Sequence, residues 1–120
     1  MEVTYDDCES DVYYLDEYVE GRPIVAIYVD RITADMNGES LAMQYEEKIG
    51  AEGKTIPLGA HDYAATYLRE AEGAGSNDAV VEYYITEQNG TVFRIRVCNF
   101  VDGQEGFGAR MSAMLNTITF

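Results

Sequence analysis

The sequence predicts a single α+β domain, an antiparallel sheet of about five to seven strands with two helices packed on it. Three observations carry that expectation. Runs of β-branched and aromatic residues with two-residue alternation occupy most of the chain. The apolar period becomes helical twice, within Glu39 to Ile49 and from Phe107 to Leu115. The 120 residues, 47% apolar and 25% charged, match one ordinary globular domain with its own core.

The chain opens on Asp6, Asp7, Glu9 and Asp11, so residues 1–11 read as an acidic, solvated segment ahead of a domain over 12–120. Val12 to Val19 is rich in aromatic and β-branched residues, and Glu20-Gly21-Arg22-Pro23 is a turn cluster. Ile24 to Val29 is a strand run, predicting a hairpin with the preceding segment. Val25, Ile27 and Val29 share one face of it, and Ala26, Tyr28 and Asp30 the other.

Leu41, Ala42, Tyr45 and Ile49 recur at helical intervals, with Asn37 placed to cap the N-terminus and Gly50 to end the helix. Thr55 to Leu58 is a short strand. Its Pro57 lacks a backbone donor and points to an edge or a strand start. Tyr63 to Glu70 alternates as a strand, with an Ala-rich helix as the competing reading. Glu72 to Asp78 is a flexible loop.

From Ala79 to Phe100 the dipeptide Asn89-Gly90 invites a two-residue turn. That turn would pair Ile85 with Arg94 and Tyr83 with Arg96, mixing guanidinium groups into an apolar row. A three-residue loop, Gln88-Asn89-Gly90, moves every side chain to the other face. It aligns Val81, Tyr83 and Ile85 with Phe93, Ile95 and Val97 as one apolar surface, to be roofed by Phe107 to Leu115. The expectation is therefore the three-residue loop. It leaves Tyr84 on the reverse face with Glu82, Arg94 and Arg96. Tyr28, Tyr84, Arg94 and Arg96 are the candidate binding face on that reading, with tyrosine's packing value as the plainer explanation.

Asp102 and Glu105 have capping-box spacing at the start of the last helix. Its Gly103, Gly106 and Gly108 lack phosphate-loop spacing and read as a solvent-facing helix start. Phe107, Met111, Met114 and Leu115 make its apolar stripe, and residues 116–120 form an extended tail.

The formal net charge of −14 argues against nucleic acid and anionic membrane surfaces as partners, since both require a basic footprint. No apolar run is long enough to insert in a bilayer as a helix. Residues 1–7 carry neither a basic nor an apolar signal region, although a chain whose signal had been removed would begin the same way. Cys8 and Cys98 fit no zinc spacing. They are read as free thiols, or as one disulfide if the protein is exported.

No catalytic constellation emerges. The single histidine, His61, lies in a turn between strands, and the nucleophile-elbow, P-loop and dinucleotide fingerprints are missing. With 22 acids, pairs of carboxylates arise by coincidence, so no catalytic residue and no cofactor is expected. Clustered oxygens make Asp6, Asp7, Glu9, Asp11 and Asp35 the calcium candidates. An EF-hand loop is not among the options, because counting back from Gly38 puts Thr33 at its first ligand position.

The order of elements resembles the PsbP-like fold. The likeness is carried by Ile24 to Arg31, Gly38 to Gly50 and Tyr83 to Phe120, with Val92-Phe93-Arg94-Ile95-Arg96-Val97 closest to bacterial members. The resemblance implies an αβα sandwich and a non-enzymatic accessory or binding role, most often in an exported bacterial protein or lipoprotein. Extracellular or cell-surface placement would follow if a signal was removed. The partner would be an unknown protein or a small ligand. The alternative is a small acidic dimeric chaperone or adaptor that shields basic or amphipathic segments, with Met36, Met43, Met111 and Met114 as an adaptable surface. A small hydrolytic enzyme is the third reading.

Overall fold

The computed structural model describes residues 7–120. Six strands form one antiparallel sheet: β1 (Cys8–Tyr14), β2 (Ala26–Ile32), β3 (Lys54–Leu58), β4 (Tyr63–Ala71), β5 (Ala79–Gln88) and β6 (Thr91–Phe100). Their spatial order is β1-β2-β6-β5-β4-β3, with β1 and β3 at the two edges. Helix α1 (Gly38–Ile49) follows β2, and α2 (Gly103–Leu115) follows β6. One helix covers each face, in the α+β class that the sequence predicts.

Side-chain alternation divides the core in two. On one face Leu41, Ala42 and Tyr45 of α1 pack on Ile32, Leu68, Tyr83 and Ile85. On the other, Met111 of α2 packs with Ile27, Ala65, Ile95 and Val97. The α1 caps form as their residue types dictate. The Asn37 side chain accepts from the Ser40 amide at 2.8 Å, and Gly50 closes the helix at φ 77°.

β1 takes in Cys8, Glu9, Ser10 and Asp11, so the sheet starts inside the acidic opening and not at Val12. Backbone pairing overrides composition there, because β2 supplies an unbroken ladder from Cys8–Ile32 to Tyr14–Ala26. Pro57 does sit on an edge strand, and 63–71 is a strand and not a helix.

The β5–β6 turn corrects the three-residue expectation. Gln88 pairs with Thr91 across Asn89-Gly90, whose φ angles of 54° and 78° both lie in the left-handed region. The two-residue turn fits the twist of the flanking strands. It pairs Tyr83 with Arg96 and Ile85 with Arg94. Val81, Tyr83 and Ile85 therefore face α1, whereas Phe93, Ile95 and Val97 face α2. The six residues read as one apolar surface are split three and three across the sheet.

The start of α2 also departs from the capping box. Asp102 makes no side-chain cap; its amide donates to the Ser76 carbonyl at 3.0 Å, and the Val101 amide donates to the Asp78 carbonyl at 3.0 Å. The loop before β5 thus anchors this end of the helix through the main chain. Gly103 is buried, not solvent-facing, and a Cβ there would overlap Asn99 and Phe100.

Cys8 and Cys98 are not joined to each other. Cys8 pairs with Ile32 in the β1–β2 ladder, and Cys98 pairs with Ala26 in the β2–β6 ladder. Six residues of β2 separate those rungs, roughly 20 Å at strand rise, too far for a disulfide.

Candidate functional site: a groove beside the first strand

The expected binding face does not assemble as one surface. Tyr28, Arg94 and Arg96 share the α1 side of the sheet, but Tyr84 lies on the α2 side with its ring 5.1 Å from that of Tyr67. The cause is the turn, because a one-residue slip reverses β6 against β5.

Arg94 is enclosed completely, and so is Asp30. Asp30 Oδ2 accepts from Arg94 Nε at 2.8 Å and from Arg96 Nε at 2.6 Å. Its Oδ1 accepts from Arg96 Nη2 at 2.9 Å and from Ser10 Oγ at 2.5 Å. Arg94 further donates from Nη1 to Tyr45 Oη at 3.0 Å and from Nη2 to Cys8 Sγ at 3.4 Å. The Arg96 guanidinium lies 4.3 Å from the ring centre of Tyr28.

Burial alone would push the Asp30 carboxyl up. The hydrogen bonds from Arg96, Ser10 and Arg94 outweigh it and hold the group below its usual range. This network ties β1, β2, β6 and α1 together as a structural unit. Nothing in the composition singled out Asp30, Ser10 or Tyr45. The available signal was an acid inside an apolar strand matched by two alternating arginines in another.

The calcium candidates disperse. Glu9 is paired with Arg31, Asp11 lies two residues on along β1, and Asp35 is exposed between β2 and α1. Asp6 lies outside the described residues. Among those described, no cluster of three or more metal-ligating side chains forms. His61 is exposed in its turn, against Tyr63.

An open groove of about 430 Å³ lies on the α2 side. α2 sits over β6, and the chain beyond it returns across Phe93, where the Phe120 ring centre is 4.5 Å away. Ile27, Val29 and Phe93 floor the groove, Leu115 and Ile118 wall it, and Asp11 and Tyr13 of β1 form the rim. Asp11 contributes its one ionised side chain. The volume falls in the lower range of small-ligand pockets, and the lining suits an apolar group. A second cavity of about 170 Å³ lies under α2 beside Glu82, Tyr84 and Asn99. Tyr67 donates its hydroxyl to Glu82 there, and burial, followed by Glu82, pushes the Tyr84 phenol up to about 12.

No protein-family model and no curated protein matches the chain. The fold is similar to the crystal structure of PA94 from Pseudomonas aeruginosa, described as a protein of unknown function and proposed as a regulator. The TM-score is 0.64 at 14% identity, covering 95% of this chain and 84% of that one. At that identity the likeness is one of fold.

No helix among the described residues is long and apolar enough to cross a membrane.

Proposed function

We propose that this chain is a non-enzymatic binding module and that the groove beside β1 receives an apolar group of its ligand. The observation that carries the reading is the incomplete cover of the α2 face. Apolar residues of β2 and β6 meet the helix end and tail without filling the space between them. Small-ligand sites are concave and predominantly apolar with a few polar groups at the edge, which is the arrangement of this lining.

The non-enzymatic part is supported by the placement of the best-organised charged groups. Asp30 and Arg94 have side chains with no exposed surface, so they cannot touch a substrate. An accessory role in an exported bacterial protein rests on the PsbP-like resemblance alone. The acidic adaptor reading gains from β1, where Val12, Tyr13 and Tyr14 are exposed, more than from the methionines. Met111 is buried, Met114 lines the groove, and Met43 alone of the four is strongly exposed.

A neutral apolar fluorophore, N-phenyl-1-naphthylamine, tests the groove without interference from the acidic surface. Binding is expected to the wild type, with affinity at least tenfold weaker in Ile118→Asp. Absence of binding, or equal binding by a folded Ile118→Asp variant, would overturn the reading.

A further inference from the structure

We propose that the outer edge of β1, unpaired among the described residues, is a strand-addition site for an extended partner segment in which Lys or Arg alternates with aliphatic residues. The inference rests on the binding-module reading and names the partner chemistry for it.

Two hydrogen bonds beyond the ends of the ladder fix which main-chain groups face outward. The Leu15 amide donates to the Val25 carbonyl at 3.0 Å, and the Thr33 amide donates to the Asp7 carbonyl at 2.9 Å. Odd-numbered residues of β1 therefore bond to β2. The amides and carbonyls of Ser10, Val12 and Tyr14 point away from the sheet. Such a row is a template for another strand.

The two edges of the sheet are treated differently. β3 is five residues long and carries both Pro57 and Lys54, each of which discourages pairing. β1 runs seven residues without proline, lysine, arginine or a break in register. Exposed apolar side chains lie on both of its faces: Val12 and Tyr14 on one, and Tyr13, at the rim of the groove, on the other beside the exposed Glu9 and Asp11.

Charge selects the occupant. Residues 1–21 hold eight acids and no Lys or Arg. A second copy overlapping β1 fully and antiparallel would set Asp11 against its own equivalent, with Glu9 on the diagonal, and like charges across a ladder destabilise it. A basic segment instead meets complementary charge. On the α2 side its cationic residues come beside Glu9 and Asp11, and on the α1 side its aliphatic residues come beside Val12 and Tyr14.

The probe is a blocked ten-residue peptide alternating Lys and Val, added to the whole protein at low salt. Binding is expected to slow amide exchange of Ser10, Val12 and Tyr14 at least tenfold. It should weaken at least tenfold when alternate peptide nitrogens are methylated, or when Glu replaces Lys. Val12→Pro removes an outward donor without taking a bond from β2, so it should lose the peptide and still bind the naphthylamine. No binding, or binding indifferent to peptide methylation, peptide charge and Val12→Pro, would overturn the proposal. So would a dimer of the protein alone that Val12→Pro dissociates. The naphthylamine result reports separately on the groove, so a lost edge site and a lost binding module give different outcomes.

Discussion

Arg94 and Asp30 meet across β6 and β2 with neither side chain exposed, Nε donating to Oδ2 at 2.8 Å. Arg96 uses the same oxygen at 2.6 Å, so one carboxylate carries two guanidinium groups. Removing a charge from water is unfavourable, and it is tolerated here because the Asp30 oxygens accept four hydrogen bonds.

Asp30→Asn keeps the shape of that side chain and deletes its charge. Both arginines then lose their shared carboxylate, Arg94 deep in the core and Arg96 nearly so. Urea unfolding should show a loss of about 3 kcal/mol. A change under about 0.5 kcal/mol would mean that the network carries little of the fold.

The same carboxylate gives a pH dependence of known sign. Its folded pKa lies below the unfolded value of 3.8, so between the two the unfolded chain binds more protons. Its contribution is complete above 3.8 and is lost as pH falls through the folded value. The stability difference between wild type and Asp30→Asn should therefore shrink as the pH is lowered from 5 toward 2. A constant difference over that range would contradict the assignment.

Burial, opposed in part by Arg96, pushes the Cys98 thiol up to about 11. Thiolate is the reactive form, so alkylation of Cys98 at pH 8 should run more than tenfold slower in the native protein than in denaturant. Peptide mass mapping after timed iodoacetamide exposure reads this directly. It should also find no Cys8–Cys98 bridge in the native protein.

Gly90 completes the two-residue turn at φ 78°, where a side chain is strained. Gly90→Ala should destabilise by about 1–2 kcal/mol while keeping the β5–β6 register. Denaturant unfolding gives the first number, and cross-strand proton contacts between Ile85 and Arg94 give the second. A neutral substitution would show that another conformation is available there.

Helix α1 was legible because its determinants are local: Asn37, the Leu41–Ala42–Tyr45 stripe and Gly50 lie within fourteen residues. The edge position of Pro57 was legible for the same reason, a missing donor. The α2 stripe could be read, but the face it covers could not. In the sequence, the face of Phe93, Ile95 and Val97 turns on whether Arg94 and Arg96 can share a core face. They can only because of Asp30, which is 64 residues from Arg94 in the chain. The groove was equally hidden, since its floor, wall and rim come from β1, β2, β6 and the tail.

By itself the chain determined both helices and the order of the strand runs, the two helix ends of α1 and the acidic character of its first twenty-one residues. Each depends on neighbours in sequence or on composition. The register of β6, the burial of two arginines on one aspartate and the open edge of β1 were decided only on folding. A buried charge is stable or ruinous according to what stands beside it, and that neighbour is supplied by the sheet.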